Sequence, residues 1–238
     1  MAAAETKDNL LPNWERTQLC NPEFQLKLTR LIPEIDYIED EIIKAGVVKF
    51  YQAFEEQTGV QTTELAQKPY TLKAAGGNIP DLLLKTRLIA RQAILNNLSD
   101  EVLAALLCMD LFKGEEVELV EGSENEWKQV EIPSKGHAIR AFELAKKVEL
   151  SEKICQMIKL HGTESAEERQ RLMASKNKDE YQLGWEAERV FKADFDVHDM
   201  IKLFNRARGG NADAKTITWP PEELILPPTI QALRELVL

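Results

Sequence analysis

The chain has 238 residues, 44% of them hydrophobic, and a formal net charge of −10 at pH 7. That length and composition can form one substantial apolar core, which excludes an intrinsically disordered chain. A uniformly acidic surface repels nucleic acid and anionic membranes alike. Contact with DNA would therefore require a local basic patch or the assembly of many copies.

The cysteines indicate a reducing environment. Cys20, Cys108 and Cys155 are odd in number and have no Cys-x-x-Cys spacing. We expect them to be reduced core thiols, not a disulfide framework or a zinc site. The N-terminus lacks the apolar segment of a signal peptide, and no apolar run approaches the ~20 residues that span a bilayer. These features predict a cytoplasmic protein with no membrane partner.

Prolines, glycines and changes of periodicity divide the chain into five segments. We predict a flexible lead-in, an N-terminal helical region, a central helical core, a charged helix and a linker with a proline-rich tail. Their bounds are 1–20, 21–79, 80–162, 163–205 and 206–238.

In the N-terminal region, Asn21 and Pro22 predict the start of a helix that stops at Pro33. Apolar residues at helical spacing then predict a long helix. We expect a bend or break in it near Gly46 and a left-handed end at Gly59.

The central core contains the strongest helical patterns. The first of its four predicted helices carries a row of leucines interrupted by Arg91. Ser99, Ser134 and Ser151 are expected to cap the next three. In the charged segment that follows, we expect one long exposed helix with a break at Gly184.

A β-hairpin is expected within the central core. Val117 and Leu119 alternate with polar residues, a turn follows around Gly122, and Val130 and Ile132 alternate again. The fold class is therefore mainly α: a helical domain with a small β-hairpin insertion, a long charged helix and an extended C-terminal tail.

No arrangement of residues typical of an enzyme is legible. The three histidines, His137, His161 and His198, are far apart in the sequence, and no His-Glu-x-x-His or glycine-rich phosphate loop occurs. His137 follows the start of a helix and is expected to face solvent. The sequence predicts no catalytic residue, no metal ligand and no cofactor.

Two features could bind nucleic acid. The helix that ends at Gly59 could pair with a short helix bearing Leu65 as a degenerate helix-turn-helix, or the two could form an ordinary helical hairpin. Five basic residues follow and could reach phosphates: Lys68, Lys73, Lys85, Arg87 and Arg91. They could equally form a solvated face, and Arg91 could pair with an acidic residue across a subunit contact.

The C-terminal tail is a candidate for partner binding. It contains two Pro-Pro pairs, which favour extended polyproline geometry. Apolar residues accompany them: Trp219, Leu224, Ile225 and Leu226. Such a tail either packs on its own domain or docks on another protein.

Residues 89–160 resemble part of the small terminase subunit of tailed phages. The likeness rests on the segments ARQAILNNLSDEVLAALLCMDLFKGEEVEL and SKGHAIRAFELAKKVEL. The second segment contains an Arg-x-x-Glu-Leu-x-x-Lys pattern at Arg140, Glu143, Leu144 and Lys147. The N-terminal helix-turn-helix of that family is degenerate here.

The resemblance implies a non-enzymatic, ring-forming homo-oligomer located in the host cytoplasm. It would bind duplex viral DNA and recruit the large packaging subunit through the C-terminal tail. An alternative is a helical adaptor or structural interaction protein that does not bind nucleic acid. A third hypothesis is a small enzyme whose site is assembled from dispersed residues. Salt-sensitive DNA binding distinguishes the first hypothesis from the second.

Overall fold

The computed structural model describes residues 21–69, 81–122, 127–130 and 136–207. Across these residues the fold is mainly α with one two-stranded antiparallel hairpin, which confirms the predicted fold class. None of the helices in these ranges is both long enough and apolar enough to cross a membrane. The lead-in and the proline-rich tail lie outside the described residues.

The N-terminal region contains two α-helices. Helix α1 (Pro22–Leu31) starts where the side chain of Asn21 accepts hydrogen bonds from two backbone N–H groups, as predicted. A 3-10 helix (Pro33–Tyr37) leads to α2 (Glu41–Thr58), which ends at Gly59 with a left-handed φ of 73°. The break expected near Gly46 does not occur, because α2 is continuous through this residue. A Cβ at Gly46 would lie 2.6 Å from Leu150 Cδ2, so this glycine provides space for close packing.

The second helix of the proposed helix-turn-helix does not form. Residues Thr62–Ala66 make a 3-10 helix of five residues, in which Thr62 and Leu65 are buried. A 3-10 segment of five residues is too short to serve as a recognition helix in a DNA groove.

Two helices lie at the centre of the fold. Helix α3 (Leu82–Leu95) begins at Asp81, and α4 (Asp100–Cys108) begins at Ser99, each capped by the side chain before it. Every residue of α4 from Val102 onward is buried, because α4 packs against α2, α3 and later helices. A helix that is apolar on all sides is typical of a core position.

The hairpin follows α4. A 3-10 helix (Leu111–Glu115) leads into β1 (Val117–Leu119), which pairs antiparallel with β2 (Trp127–Gln129). The second strand therefore begins and ends a few residues earlier than the alternation at Val130 and Ile132 predicted.

Four helices complete the fold, two on each side of residues 160–165. Helix α5 (His137–Lys147) begins at Gly136, not at Ser134, and α6 (Glu152–Lys159) begins at Ser151 as predicted. Helix α7 (Ala166–Met173) and α8 (Lys178–Ala207) then form an antiparallel pair. The charged segment is thus two helices with a turn at 174–177, and one face of α8 is buried against the core.

The cysteines within the described residues behave as predicted. Cys108 and Cys155 are free thiols in the apolar core. Burial raises the pKa of both thiols, which leaves them protonated and unreactive. Cys20 lies outside the described residues.

Gly184 is a contact point between α7 and α8 and not the expected break. A Cβ at Gly184 would lie 2.6 Å from the Met173 backbone nitrogen and 2.8 Å from the Leu172 carbonyl carbon. Backbone atoms cannot yield as a flexible side chain can. We expect Gly184→Ala to lower the free energy of unfolding by about 1–3 kcal/mol, although alanine normally favours a helix.

Chemical denaturation would measure this loss, and Gly136→Ala is the matched control. A Cβ at Gly136 meets no atom within 4 Å. The control should change stability by less than about 1 kcal/mol, the scale of an altered helix N-cap. Equal effects of the two substitutions would contradict the close approach of α7 and α8.

Asp81 predicts a pH dependence of stability. Burial raises the pKa of this carboxyl to about 6, although its Oδ1 accepts a 2.7 Å hydrogen bond from Leu84 N. The folded state therefore binds the proton more tightly than the unfolded chain, whose aspartates titrate near ~3.9. The stabilisation is fully present below about pH 4 and is lost as the pH rises through about 6, a change of about 3 kcal/mol.

Asp81→Asn keeps the capping oxygen but cannot ionise. We expect the stability of the variant, relative to the wild type, to rise by about 3 kcal/mol between pH 4 and pH 7. Urea unfolding at several pH values would measure the difference. Parallel stability curves for the two proteins would show that Asp81 is not buried as described.

Candidate metal centre

Three polar side chains meet where α4, α5 and α6 come together. Asp110 lies two residues after the end of α4, His137 is the first residue of α5, and His161 lies two residues after the end of α6. The side chains of Asp110 and His161 are 2% and 3% exposed, while that of His137 is 25% exposed. The first two therefore form the floor of the cluster, and His137 borders solvent.

The ligand atoms of these residues are close and nearly equidistant. The two Nε2 atoms of His137 and His161 lie 3.3 Å apart. Asp110 Oδ1 lies 3.4 Å from Nε2 of His161 and 3.6 Å from Nε2 of His137. Within the part of the chain that the structure describes, this is the one group of three such residues able to hold a metal ion.

Hydrogen bonding on the far side of each ring directs a lone pair to the centre. Nδ1 of His161 lies 2.6 Å from the carbonyl oxygen of Ile158, which can only accept, so Nδ1 carries the proton. The neutral ring then has an unprotonated Nε2. Nδ1 of His137 faces Glu116 Oε1 at 3.4 Å, which favours the same tautomer. Outer carboxylate and carbonyl groups orient metal-binding histidines in this way.

Arg169 fixes the backbone on both sides of His161. Its guanidinium is 1% exposed, and Nη1 donates to the carbonyl oxygens of Leu160 and Gly162 at 2.6 Å each. Nε donates to Glu188 on α8 at 2.9 Å. The carbonyl groups left free at the end of α6 are therefore satisfied, and His161 is held in place by α7 and α8 together.

A lysine ammonium lies against the other side of Asp110. Lys85 on α3 is 1% exposed, and its Nζ lies 2.6 Å from both Asp110 Oδ2 and Asp194 Oδ1. Burial alone would lower the pKa of Lys85, but Asp110 and Asp194 outweigh it and raise that pKa above its usual value. Lys85 is therefore a permanent cation within the core.

Asp110 is correspondingly a permanent anion. Burial alone would raise its pKa, but Lys113 and Lys85 outweigh it and hold the pKa well below its usual value. Lys113 Nζ lies 2.7 Å from Oδ1, in a contact between opposite charges, and Oδ1 accepts no well-directed hydrogen bond among the described residues. The charged oxygen, which contacts Lys113, keeps lone pairs that could serve a metal ion.

The spacing of the three atoms fits a tetrahedral ion. Metal–ligand bonds of ~2.0–2.1 Å, as for Zn²⁺ with histidine and carboxylate ligands, separate neighbouring tetrahedral ligands by about 3.3–3.4 Å. The observed separations of 3.3, 3.4 and 3.6 Å match one face of such a tetrahedron. Two imidazoles and one carboxylate are also a donor set that suits zinc and similar divalent metals.

Comparison with known proteins identifies no family for this chain. No family model, curated protein or solved structure matches the chain. The assignment of the site therefore rests on its own distances, burial and hydrogen bonds.

The three histidines are far apart in the sequence, but the structure brings two of them together. His137 and His161 are 24 residues apart, yet their ring centroids lie 5.3 Å apart because α5 and α6 pack as an antiparallel pair. The side chain of His137, which was expected to face solvent, is 25% exposed and borders solvent on one side of the cluster. One sequence signal was available: all three ligands flank an end of a predicted helix, where loops of a packed bundle converge.

Three of the predicted nucleic-acid-binding residues are buried in ion pairs. Lys85 contacts Asp110 and Asp194 as described above. Arg87 Nε lies 3.0 Å from Glu34 Oε2, and Arg91 Nε lies 2.6 Å from Glu34 Oε1. Side chains that are 1–8% exposed cannot reach a phosphate backbone, so the basic stretch of α3 is internal. The partner of Arg91 belongs to the same chain and not to a second subunit.

The remaining predicted site residues fall into two groups. Lys68 is partly buried, and its Nζ donates to the carbonyl oxygen of Val117 at 3.2 Å, which ties residues 62–69 to the hairpin. The others lie outside the described residues: Lys73, Trp219, Leu224, Ile225 and Leu226.

Glu34 neutralises two buried guanidinium groups and is itself 2% exposed. We expect Glu34→Ala to lower the free energy of unfolding by about 3–5 kcal/mol, because Arg87 and Arg91 would keep their charge without this carboxylate. Glu41→Ala is the control, since Glu41 is 69% exposed and pairs with Lys44 at 2.9 Å. That exposed pair should contribute less than about 1 kcal/mol.

Urea unfolding of the two variants would compare the pairs directly. Similar losses for Glu34→Ala and Glu41→Ala would show that the contacts of Glu34 are exposed to solvent and not internal.

Proposed function

We propose that this protein binds a divalent transition metal such as Zn²⁺ through Asp110, His137 and His161 and is a metal-dependent hydrolase. The observation that carries the proposal is the set of three separations, 3.3, 3.4 and 3.6 Å, among one carboxylate oxygen and two imidazole nitrogens. Three electron-pair donors at such distances could share a single cation between them. This function corresponds to the third hypothesis from the sequence, a small enzyme whose site is assembled from dispersed residues.

The number of ligands supports a catalytic role. Structural zinc sites use four protein ligands, whereas catalytic sites use three and leave the fourth position open. A Zn²⁺ ion with three protein ligands lowers the pKa of bound water to about 7 and so supplies hydroxide at neutral pH. Access comes from the side of His137, the most exposed of the three residues.

Two cationic side chains lie near the open side, and each is paired with a carboxylate: Lys113 with Asp110 and Arg140 with Glu115. Lys113 is 19% exposed and lies 2.7 Å from Asp110. Arg140, one turn after His137 on α5, stacks on Phe112 with 4.5 Å between Cζ and the ring centroid. Its Nη1 is buried without a hydrogen-bond partner among the described residues. Cationic side chains beside a metal ion are suited to binding phosphoryl oxygens, so we propose a phosphate ester as substrate.

Metal binding is the first test. The purified protein, stripped with chelator and dialysed against Zn²⁺ or Co²⁺, should retain one ion per chain by elemental analysis. Bound Co²⁺ should give the intense visible absorption of tetrahedral coordination. His161→Ala should lower metal affinity by on the order of 100-fold or more, because loss of a ligand costs at least as much as loss of an outer-shell contact.

His198→Ala is the matched control, since His198 belongs to no group of potential metal ligands in the described residues. The control should bind one ion, as the wild type does. A proton shared between the two Nε2 atoms would also account for their short separation. That arrangement predicts no metal uptake, and such a result would overturn the proposal.

Activity is tested separately with p-nitrophenyl phosphate and bis(p-nitrophenyl) phosphate. We expect hydrolysis that requires added metal and is lost in His161→Ala. If the metal-loaded protein hydrolyses neither probe, the proposed hydrolase activity is overturned and only the proposed metal binding remains.

The hypothesis of a ring-forming terminase subunit, and that of a helical adaptor, stay predictions. The basic side chains predicted on α3 do not support DNA contact, because they are internal. Native mass spectrometry with and without duplex DNA would test oligomer formation and DNA uptake.

A further inference from the structure

One carboxylate joins the proposed metal centre to a second buried cation. Oδ1 of Asp110 faces the two histidines, whereas Oδ2 lies 2.6 Å from Lys85 Nζ. The same ammonium lies 2.6 Å from Asp194 Oδ1. Lys85 therefore bridges two carboxylates, one of which is also a proposed metal ligand.

The position of this ammonium corresponds to that of a metal ion. Two-metal hydrolytic sites hold their ions ~3.5–4 Å apart, and a carboxylate with a cation on each oxygen sets a separation of this order. The oxygens of Asp110 and Asp194 are hard ligands of the kind that Mg²⁺ and Mn²⁺ prefer. Without Lys85, this pair of carboxylates would itself form the beginning of a second divalent site.

We propose that the ammonium of Lys85 occupies the place of a second metal ion, so that the site binds one divalent ion and no more. This inference rests on the proposed metal centre. Lys85 is a positioning residue: it holds Asp110 in place and supplies a fixed positive charge, but it would not itself contact the metal.

Burial explains why a lysine can perform this role. Lys85 is 1% exposed, and its amino group is carried to the cluster by α3, which is itself packed in the core. A tethered ammonium has no dissociation equilibrium, so its charge is present at any metal concentration. A bound ion in the same place would be lost whenever metal became scarce.

Removal of the ammonium should therefore change the number of ions bound. In Lys85→Ala, Asp110 and Asp194 lose their shared counter-charge and gain the space that the side chain occupied. Asp110 would keep only its contact with Lys113, and Asp194 is 24% exposed, so a divalent ion between the two carboxylates would restore the lost positive charge. We expect wild-type protein to bind one Mn²⁺ per chain at saturation and Lys85→Ala to bind two.

The measurement is a Mn²⁺ titration monitored by equilibrium dialysis and by electron paramagnetic resonance. Wild-type protein should give the spectrum of an isolated Mn²⁺ ion. Lys85→Ala should give the exchange-coupled spectrum of two neighbouring ions. Lys153→Ala is the control, because Lys153 also pairs with a buried carboxylate, Glu186, at 2.9 Å but lies outside the cluster. It should bind one ion.

Lys85→Gln provides a second variant if the alanine protein fails to fold. Glutamine retains most of the side-chain volume, removes the charge and offers a carbonyl oxygen that can itself act as a metal ligand. It should also bind two ions, and circular dichroism would confirm that each variant is folded.

The outcomes separate this inference from the function on which it rests. Wild-type protein that binds no ion would overturn the metal centre, and with it the role of Lys85. Wild-type protein that binds two ions would overturn the role of Lys85 alone. A folded Lys85 variant that still binds a single isolated Mn²⁺ would do the same.

Discussion

The arrangement of the helices depends on one buried charge. Lys85 reaches from α3 to Asp110 at the end of α4 and to Asp194 on α8, so a single ammonium joins three segments that are far apart in the sequence. Removing ions from water costs several kcal/mol for each, and close pairing in the core offsets much of that cost without adding large net stability. What the contact supplies is specificity. Any other alignment of these helices would leave Asp110, Asp194 or Lys85 charged and without this partner in an apolar interior.

The other buried charges follow the same pattern at helix ends. Glu34, in the 3-10 helix before α2, holds two arginines of α3, and Arg169 on α7 holds the carbonyl groups around His161. These contacts position segments that lack the regular hydrogen bonds of a helix interior. The ligands of the proposed metal centre lie in such segments. The same buried charges that position the helix ends therefore also position the candidate site. This explains why a mainly apolar bundle keeps so many ionised groups in its interior.

Local signals in the sequence predicted local structure well. Asn21, Ser99 and Ser151 cap helices as expected, Gly59 ends α2, and the alternation near Val117 marks a real strand. Prediction failed for residues whose role is a contact with a segment far away in the sequence. Gly184 predicted a break but allows α7 to approach α8, and the basic residues of α3 predicted a surface but pair with carboxylates more than 20 residues away. The candidate site was missed for the same reason, because spacing in the chain does not specify which helix ends will meet.

The length of α8 has a mechanical consequence. At ~1.5 Å per residue, its 30 residues extend about 45 Å. Two ion pairs fasten it near the cluster, Glu188 to Arg169 and Asp194 to Lys85, and they are about 9 Å apart along the helix axis. A small tilt of α8 would therefore shift the support of His161 and the counter-charge of Asp110 at once. One rigid helix thus couples the two sides of the cluster mechanically.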